Sequence, residues 1–334
     1  MRPLIPSALA ALAAFALLLP APAARAQTPP MPPASPGCDV ARGSALPPGF
    51  AYPAGDTVRV ATWNAEHFVD GHDSPYVRAA REDAPDTTRL AAFARSLRAL
   101  DADVVVLQEF ESAAFARAFA SARLPDMGYR FVSGHESTDW YQNVVVLSRL
   151  PLGVLRSYAN VWTPVEGVTD SAGVAVADNL TNHRLWAVDV LARPGYAFAL
   201  VGAHLKAGRS ARDTGWRTGQ VRLLHAEFAR LAAACPDANV LVAGDLNAIP
   251  GSAEIVLLEN ADGALSPVRF TNPLAGALTH PADAPTRQLD YLLPSASMLP
   301  ELVPGSARVG RAGADARAVS DHLPVVAAFV ARGR

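Results

Sequence analysis

The chain has 334 residues, half of them hydrophobic, and 29 Lys and Arg against 31 Asp and Glu give a formal net charge of −2. That balance, with Lys206 as the only lysine, announces no polybasic patch, and Cys38 and Cys235 show no Cys/His zinc spacing. No internal repeat or linker divides residues 56–334, which fit one large α/β domain.

Arg2 precedes an apolar run from Leu9 to Leu19, and Ala24-Arg25-Ala26 supplies a small-x-small cleavage signal, so residues 1–26 read as a signal peptide. The run falls short of the ~20 apolar residues that span a bilayer. None follows it, so no transmembrane segment is expected, and the mature chain is expected to be secreted or periplasmic. Losing Arg2 and Arg25 with the leader makes that chain more negative. Residues 27–55, crowded with Pro, Gly, Ala and Ser and without periodicity, are predicted as an N-terminal arm. Cys38 in the arm and Cys235 in the body are expected to pair in an oxidising compartment.

Val58 to Trp63 alternates like a strand and delivers Asn64 at its end. A polar loop follows, carrying His67, Asp70, His72 and Asp73; its histidine and aspartate at 72 and 73 could touch substrate or a second ion, and a solvated loop is the plainer reading. Leu90, Phe93, Leu97 and Leu100 recur at helical spacing behind a cap at Asp86 or Thr87. Val104 to Leu107 forms a strand ending in Gln108-Glu109, then come a helix with Phe115 and Phe119, a β-like stretch at 129–133 and a strand from Val144 to Leu147.

Leu185 to Leu191 and Ala197 to Ala203 read as a hairpin around Pro194-Gly195, with His204-Leu205-Lys206 at the end of its second strand. The next helix, about Thr214 to Ala234, carries an apolar stripe beside which His225 reads as structural. Val240 to Ala243 is a short apolar run of the kind buried on both faces, and Gly244 ends it. In extended chain Asp245 and Asn247 would project together, a carboxylate beside an amide, a pair suited to a hydrated cation and a phosphoryl oxygen. A polar turn is the bland alternative. After a short helix through Leu258, the remaining strands are Gln288 to Leu293, with Asp290 inside, and Val325 to Val330, preceded by Ser320-Asp321-His322.

Asn64, Glu109, His204, Asp245 with Asn247, and Asp321 with His322 thus stand at or beside strand ends, which gather on one edge of an α/β sheet. The motifs ATWNAE, VVLQE, AHLK, GDLN, QLDYLL and SDHLP, in that order, resemble those of the endonuclease/exonuclease/phosphatase superfamily. The resemblance spans nearly all of the chain after the arm. It implies a four-layer αββα sandwich of two packed mixed β-sheets, and a divalent metal, usually Mg²⁺, with Mn²⁺ or Ca²⁺ as substitutes, held by Glu109 with Asn64 and Asp321 nearby. It also implies His322 as general base oriented by Asp290, with Asn247 and His204 donating to the phosphate and Asp245 orienting the water or taking its proton. Which of Asp245 and His322 removes the proton stays open at this point.

The expected function is that of an exported, metal-dependent phosphodiesterase of nuclease-like type. A sphingomyelinase-type enzyme, or a phosphatase of small or inositol phosphates, is the alternative; Trp140-Tyr141 and Trp162 are its only aromatic candidates for membrane contact. A non-catalytic binding module on this fold would have lost site residues, and none is lost. For nucleic acid, Lys206 and Arg209, with Arg212, Arg217 and Arg222, flank His204 as candidate substrate contacts, against the plainer reading of a solvated helix start. No obligate protein partner is indicated.

Overall fold

The structure, a computed structural model, describes residues 46–70, 85–137, 142–310 and 316–331, all within one body, Ala34–Arg334. The predicted leader, Cys38, His72, Asp73, Trp140 and Tyr141 lie outside the described residues. The chain runs β1 (Thr57–Phe68), α1 (Thr87–Leu100), β2 (Val104–Phe110), α2 (Ala113–Arg123), β3 (Phe131–His135), β4 (Asn143–Ser148) and β5 (Arg156–Ser157). It continues through β6 (Thr163–Thr169), β7 (Ala175–Asp178), β8 (Leu185–Arg193), β9 (Tyr196–His204), α3 (Ala211–Ala234), β10 (Val240–Asp245) and α4 (Ala253–Glu259). Last come β11 (Asp290–Pro294), β12 (Arg308–Val309), α5 (Ala316–Val319) and β13 (Val325–Val330).

Two mixed sheets carry the fold, one of six strands in the order β12-β13-β1-β2-β4-β3 and one of five in the order β11-β10-β9-β8-β5. Side chains alternate between faces along a strand, so each sheet feeds two cores. Val58, Val60, Val104, Val106 and Phe329 of the first sheet pack against Trp186, Val188, Phe198, Leu200 and Leu241 of the second. Ala61, Trp63, Val105 and Leu107 face outward onto Phe93 and Leu97 of α1 and Phe119 of α2. Val240, Val242 and Val201 likewise face Val221, Leu224 and Phe228 of α3 and Ile255 of α4. Helices, sheet, sheet and helices make the four expected layers. Trp186 fastens the inner interface, its Nε1–H donating to Val144 O across the sheets at 2.8 Å.

The helix starts are set locally. Asp86 caps α1 by accepting from Arg89 N, and Ser210 opens α3 with a capping box closed by Asp213, three residues earlier than the apolar stripe alone indicated. The C-terminal part of the predicted arm is folded onto the body rather than extended. Phe50 stacks edge-on to Tyr52 and Phe131, and Arg193 donates to Pro53 O at 2.7 Å. Cys235 is disulfide-bonded.

Two short strands, β6 and β7, escaped the sequence reading because half of their side chains face solvent. They form a separate hairpin lying on α3. Gly219 permits the seating, since a Cβ there would meet Pro164 O at 1.9 Å.

Candidate active site

The first two strands do not end where the motifs suggested. β1 runs on past Asn64 and β2 past Glu109, and both bulge at the same level: Asn64 opposes Gln108 and Phe68 opposes Phe110, with Glu66, His67 and Glu109 at φ 51°, 49° and 55° between them. Three non-glycine residues in the left-handed region mark a bulge that re-aims its side chains. The strands resume because Phe68 and Phe110 are wholly buried and stacked on each other, 5.0 Å between centroids. Glu109 is therefore swung out of the pleat toward the sheet edge.

The aspartate and amide of GDLN also meet differently from the expectation. Asn247 stands past the strand with φ 50°, so strand alternation does not align it with Asp245. Instead its N–H donates to Asp245 Oδ1 at 2.9 Å, folding the turn back on the carboxylate. Its Nδ2 donates to Leu205 O at 3.1 Å and to Asp245 Oδ2 at 3.4 Å, so the amide and the carboxylate do lie side by side, brought there by the turn. Gly244 is needed before it: β9 and β10 run so close that a Cβ would lie 1.7 Å from Ala203 O.

Asp290 begins β11 rather than sitting inside it, and antiparallel pairing puts it directly opposite Asp245. Asp321 and His322 precede β13, which is antiparallel to β1. Amino ends of antiparallel strands thus join carboxyl ends of the others on one edge.

There the side chains converge. His322 Nδ1 bonds Asp290 Oδ2 at 2.8 Å, and its Nε2 lies 3.8 Å from Asp245 Oδ2 and 4.0 Å from Asp321 Oδ1. Asn64 Nδ2 donates to both Asp245 Oδ2, at 3.0 Å, and Glu109 Oε1, at 3.2 Å. His204 Nε2 stands 3.6 Å from Asp245 and 3.9 Å from Glu109, while its buried Nδ1 has no hydrogen-bond partner. Ser320 holds the last motif in place, donating to Asn64 O at 2.7 Å and accepting from His322 N.

Charge follows burial. Burial opposes a proton on His322, but the carboxylates of Asp290 and then Asp245 outweigh it and lift the imidazole to about 10. Burial pushes Asp245 up, the charge on His322 partly opposing. His204 is driven well below the usual histidine range, by burial first and then by Arg184 and His322, so it is neutral.

Four carboxylates, Glu109, Asp245, Asp290 and Asp321, meet the single imidazolium of His322, an excess of negative charge suited to a hard divalent cation and its oxygen ligands. Asn64 turns its donor nitrogen inward, its Oδ1 being taken by Glu66 N at 3.0 Å, so among the three candidate ligands it is Glu109 and Asp321 that bring carboxylate oxygens to the site. Compact three-ligand groups among the described residues are Asp245-Asp290-His322 and His280-Asp321-His322.

Residues that sequence reasoning missed surround these. His67 N–H donates to Glu109 Oε2 at 3.2 Å, and Gln142 Nε2 donates to the same oxygen at 2.9 Å. Arg184 in turn donates to Gln142 Oε1 at 3.1 Å. His280 lies 3.4 Å from Asp321. None of the last three belongs to a motif, and only long-range packing reveals them. The basic candidates are largely committed elsewhere: Arg212 pairs with Asp178, Arg217 with buried Glu254, Arg222 with Glu166, and Lys206 with Asp213. Arg209 is exposed on the loop before α3.

A family model described as Endonuclease/Exonuclease/phosphatase matches residues 61–322. The chain belongs to this family. Its members are phosphoester hydrolases that generally use divalent metals. A comparison with curated sequences gives no match. Among solved structures the chain is similar to an endonuclease/exonuclease/phosphatase from Beutenbergia cavernae (21% identity, TM-score 0.53, covering 83% of this chain and 72% of that one). It is similar also to a humanized D. rerio TDP2 (18%, TM-score 0.51, 82% and 99%) and to the human Nocturnin catalytic domain with bound sulfate (16%, TM-score 0.50, 82% and 94%). These likenesses place the family fold.

Proposed function

We propose that this family member is an exported phosphodiesterase dependent on a divalent metal. The observation that carries the reading is the buried Asp290–His322–Asp245 array at 2.8 and 3.8 Å, facing the oxygens of Glu109 and Asp321 across one sheet edge. A bound cation would be held by Glu109 and Asp321, where it would neutralise a phosphate oxygen and stabilise the leaving oxygen.

The rest of the chemistry falls to the chain. His322 holds its proton at neutral pH and so acts as a fixed cation toward the phosphate, leaving Asp245 as the group that takes the proton of the attacking water. Asp290 keeps the imidazole oriented and charged. Neutral His204, whose Nδ1 is buried without a partner, keeps its proton on Nε2, facing the site, and donates there to an oxygen that gains charge. Asn64 holds the carboxylates of Asp245 and Glu109 in register.

The disulfide at Cys235 and the predicted leader support export. A nuclease remains one substrate reading, with Arg209 and Lys206 as its contacts, although the ion pairs of Arg212, Arg217 and Arg222 leave little basic track for a polyanion. A lipid phosphodiester is the second reading. Trp162 and Leu180, 65% and 64% exposed, stand with Val161 at the open end of the β6–β7 hairpin and favour an apolar surface. The test is hydrolysis of bis-p-nitrophenyl phosphate, plasmid DNA, RNA and sphingomyelin vesicles by purified protein, before and after chelation. Activity is expected to vanish in chelator and return with Mg²⁺ or Mn²⁺; full activity after exhaustive removal of metal sinks the proposal.

A further inference from the structure

His280 belongs to no motif, yet it is built into the site. Residues 279–287 form a small loop closed on itself, with Arg287 N donating to His280 O at 3.0 Å and Thr279 N to Arg287 O at 2.7 Å. The loop is clipped to the segment that carries Asp321 and His322: Ala282 N donates to Asp321 O and Leu323 N to Thr279 O, both at 2.8 Å. These bonds leave the His280 ring 4.6 Å from that of His322.

The protonation of His280 follows from its neighbour. Arg287 Nη2 lies 2.9 Å from His280 Nδ1. A guanidinium only donates and stays charged, so Nδ1 must be an acceptor and the ring must be neutral with its proton on Nε2. That N–H faces Asp321 Oδ2 at 3.4 Å. Neither ring nitrogen then has a lone pair open to a cation, so the His280-Asp321-His322 group does not bind one through His280.

We propose that His280, locked as the Nε2–H tautomer by Arg287, is a positioning residue that fixes the Asp321 carboxylate, engaging Oδ2 and leaving Oδ1 toward His322 and the site. Its bearing on the reaction rests on the function proposed above, in which Asp321 is a cation ligand; a ligating carboxylate is itself normally hydrogen-bonded by a neighbour that sets its orientation.

The lock is read without activity. Long-range ¹H–¹⁵N spectra of the full, metal-free chain with labelled histidine, assigned with His280→Gln, are expected to show His280 protonated at Nε2 and losing that preference in Arg287→Met. A ring protonated at Nδ1, or an unchanged tautomer in Arg287→Met, overturns the lock. Positioning is read from Mn²⁺ titrations followed by electron paramagnetic resonance. His280→Ala is expected to bind Mn²⁺ about tenfold more weakly, the size typical of losing such a neighbour. His280→Gln, whose amide nitrogen reaches where Nε2–H stood, is expected to recover most of that loss, and Arg287→Met to fall between. Equal affinity in the parent and His280→Ala, or no recovery in His280→Gln, overturns the positioning role. Should His280→Ala fail to fold by circular dichroism, the parent, Gln and Arg287→Met proteins decide it, an unchanged affinity in Arg287→Met counting against the proposal. A parent that cleaves no phosphodiester overturns the proposed function instead, and the tautomer spectrum still decides the lock.

Discussion

Without the imidazole of His322, Asp290 would be a fully buried carboxylate with no side-chain hydrogen bond left, because Oδ1 has no partner and Oδ2 bonds only His322. His322→Ala is therefore expected to lose nearly all turnover and about 3 to 5 kcal/mol of stability, the scale for an orphaned buried charge. Adding Asp290→Asn removes the stranded charge. The double variant should be no slower than His322→Ala alone and should melt higher, since residues acting as one unit do not add; steady-state kinetics and thermal melts check both. Losses in rate that multiply would give Asp290 a separate role. The pH dependence has a defined sign. His322 lies above its ordinary 6.5, so its contribution to stability is complete below 6.5 and lost as pH climbs to about 10. Asp245 is also raised, from 3.8 to about 7, so the unfolded chain gives up this proton first and the contribution to stability falls as pH rises between those values, the loss being complete by about 7. The metal-free chain is expected to melt progressively lower from pH 6 to 10. Turnover should rise as Asp245 ionises and fall as His322 discharges.

At the scale of the element, the double bulge of β1 and β2 aims Glu109. Its anchors are the rings of Phe68 and Phe110, inside a cluster with Phe93 and Phe119. Phe110→Ala and Phe119→Ala each remove a buried ring at a cost of about 3 to 5 kcal/mol. Only the first frees the strand beyond Glu109. Phe110→Ala is thus expected to weaken Mn²⁺ binding as well, whereas Phe119→Ala should melt lower with its metal affinity intact; equal affinity losses would separate the bulge from the ligand. This element also marks the limit of what the sequence conveys. The apolar runs around Val60, Val106 and Val242 announced strands and the order of the site residues along them, because a buried strand writes its pattern locally. Nothing local marks Glu66, His67 and Glu109 as left-handed, since none is glycine, and the motif residues were accordingly placed at strand ends. Gln142, Arg184 and His280 were silent because each acts through a partner 7 to 42 residues away. The β6–β7 hairpin was missed because solvent covers much of it.

Across the molecule, the site is divided between the two sheets. Asn64, Glu109 and His322 come with the six-stranded sheet, and His204, Asp245 and Asp290 with the five-stranded one, so the 2.8 Å bond between His322 and Asp290 is also a bond between layers. Asp245 and Asp290 are directly opposed on neighbouring strands. Like charges so placed repel, and their counter-charge arrives only when the other sheet docks. The consequence is kinetic. A five-stranded sheet assembled before docking would hold two facing carboxylates at its edge, and docking would bring the imidazolium to them. Replacing Asp290 by Asn should therefore hasten refolding in stopped-flow measurements at neutral pH while slowing catalysis, so that the charge pattern which makes the edge reactive is also what delays its assembly.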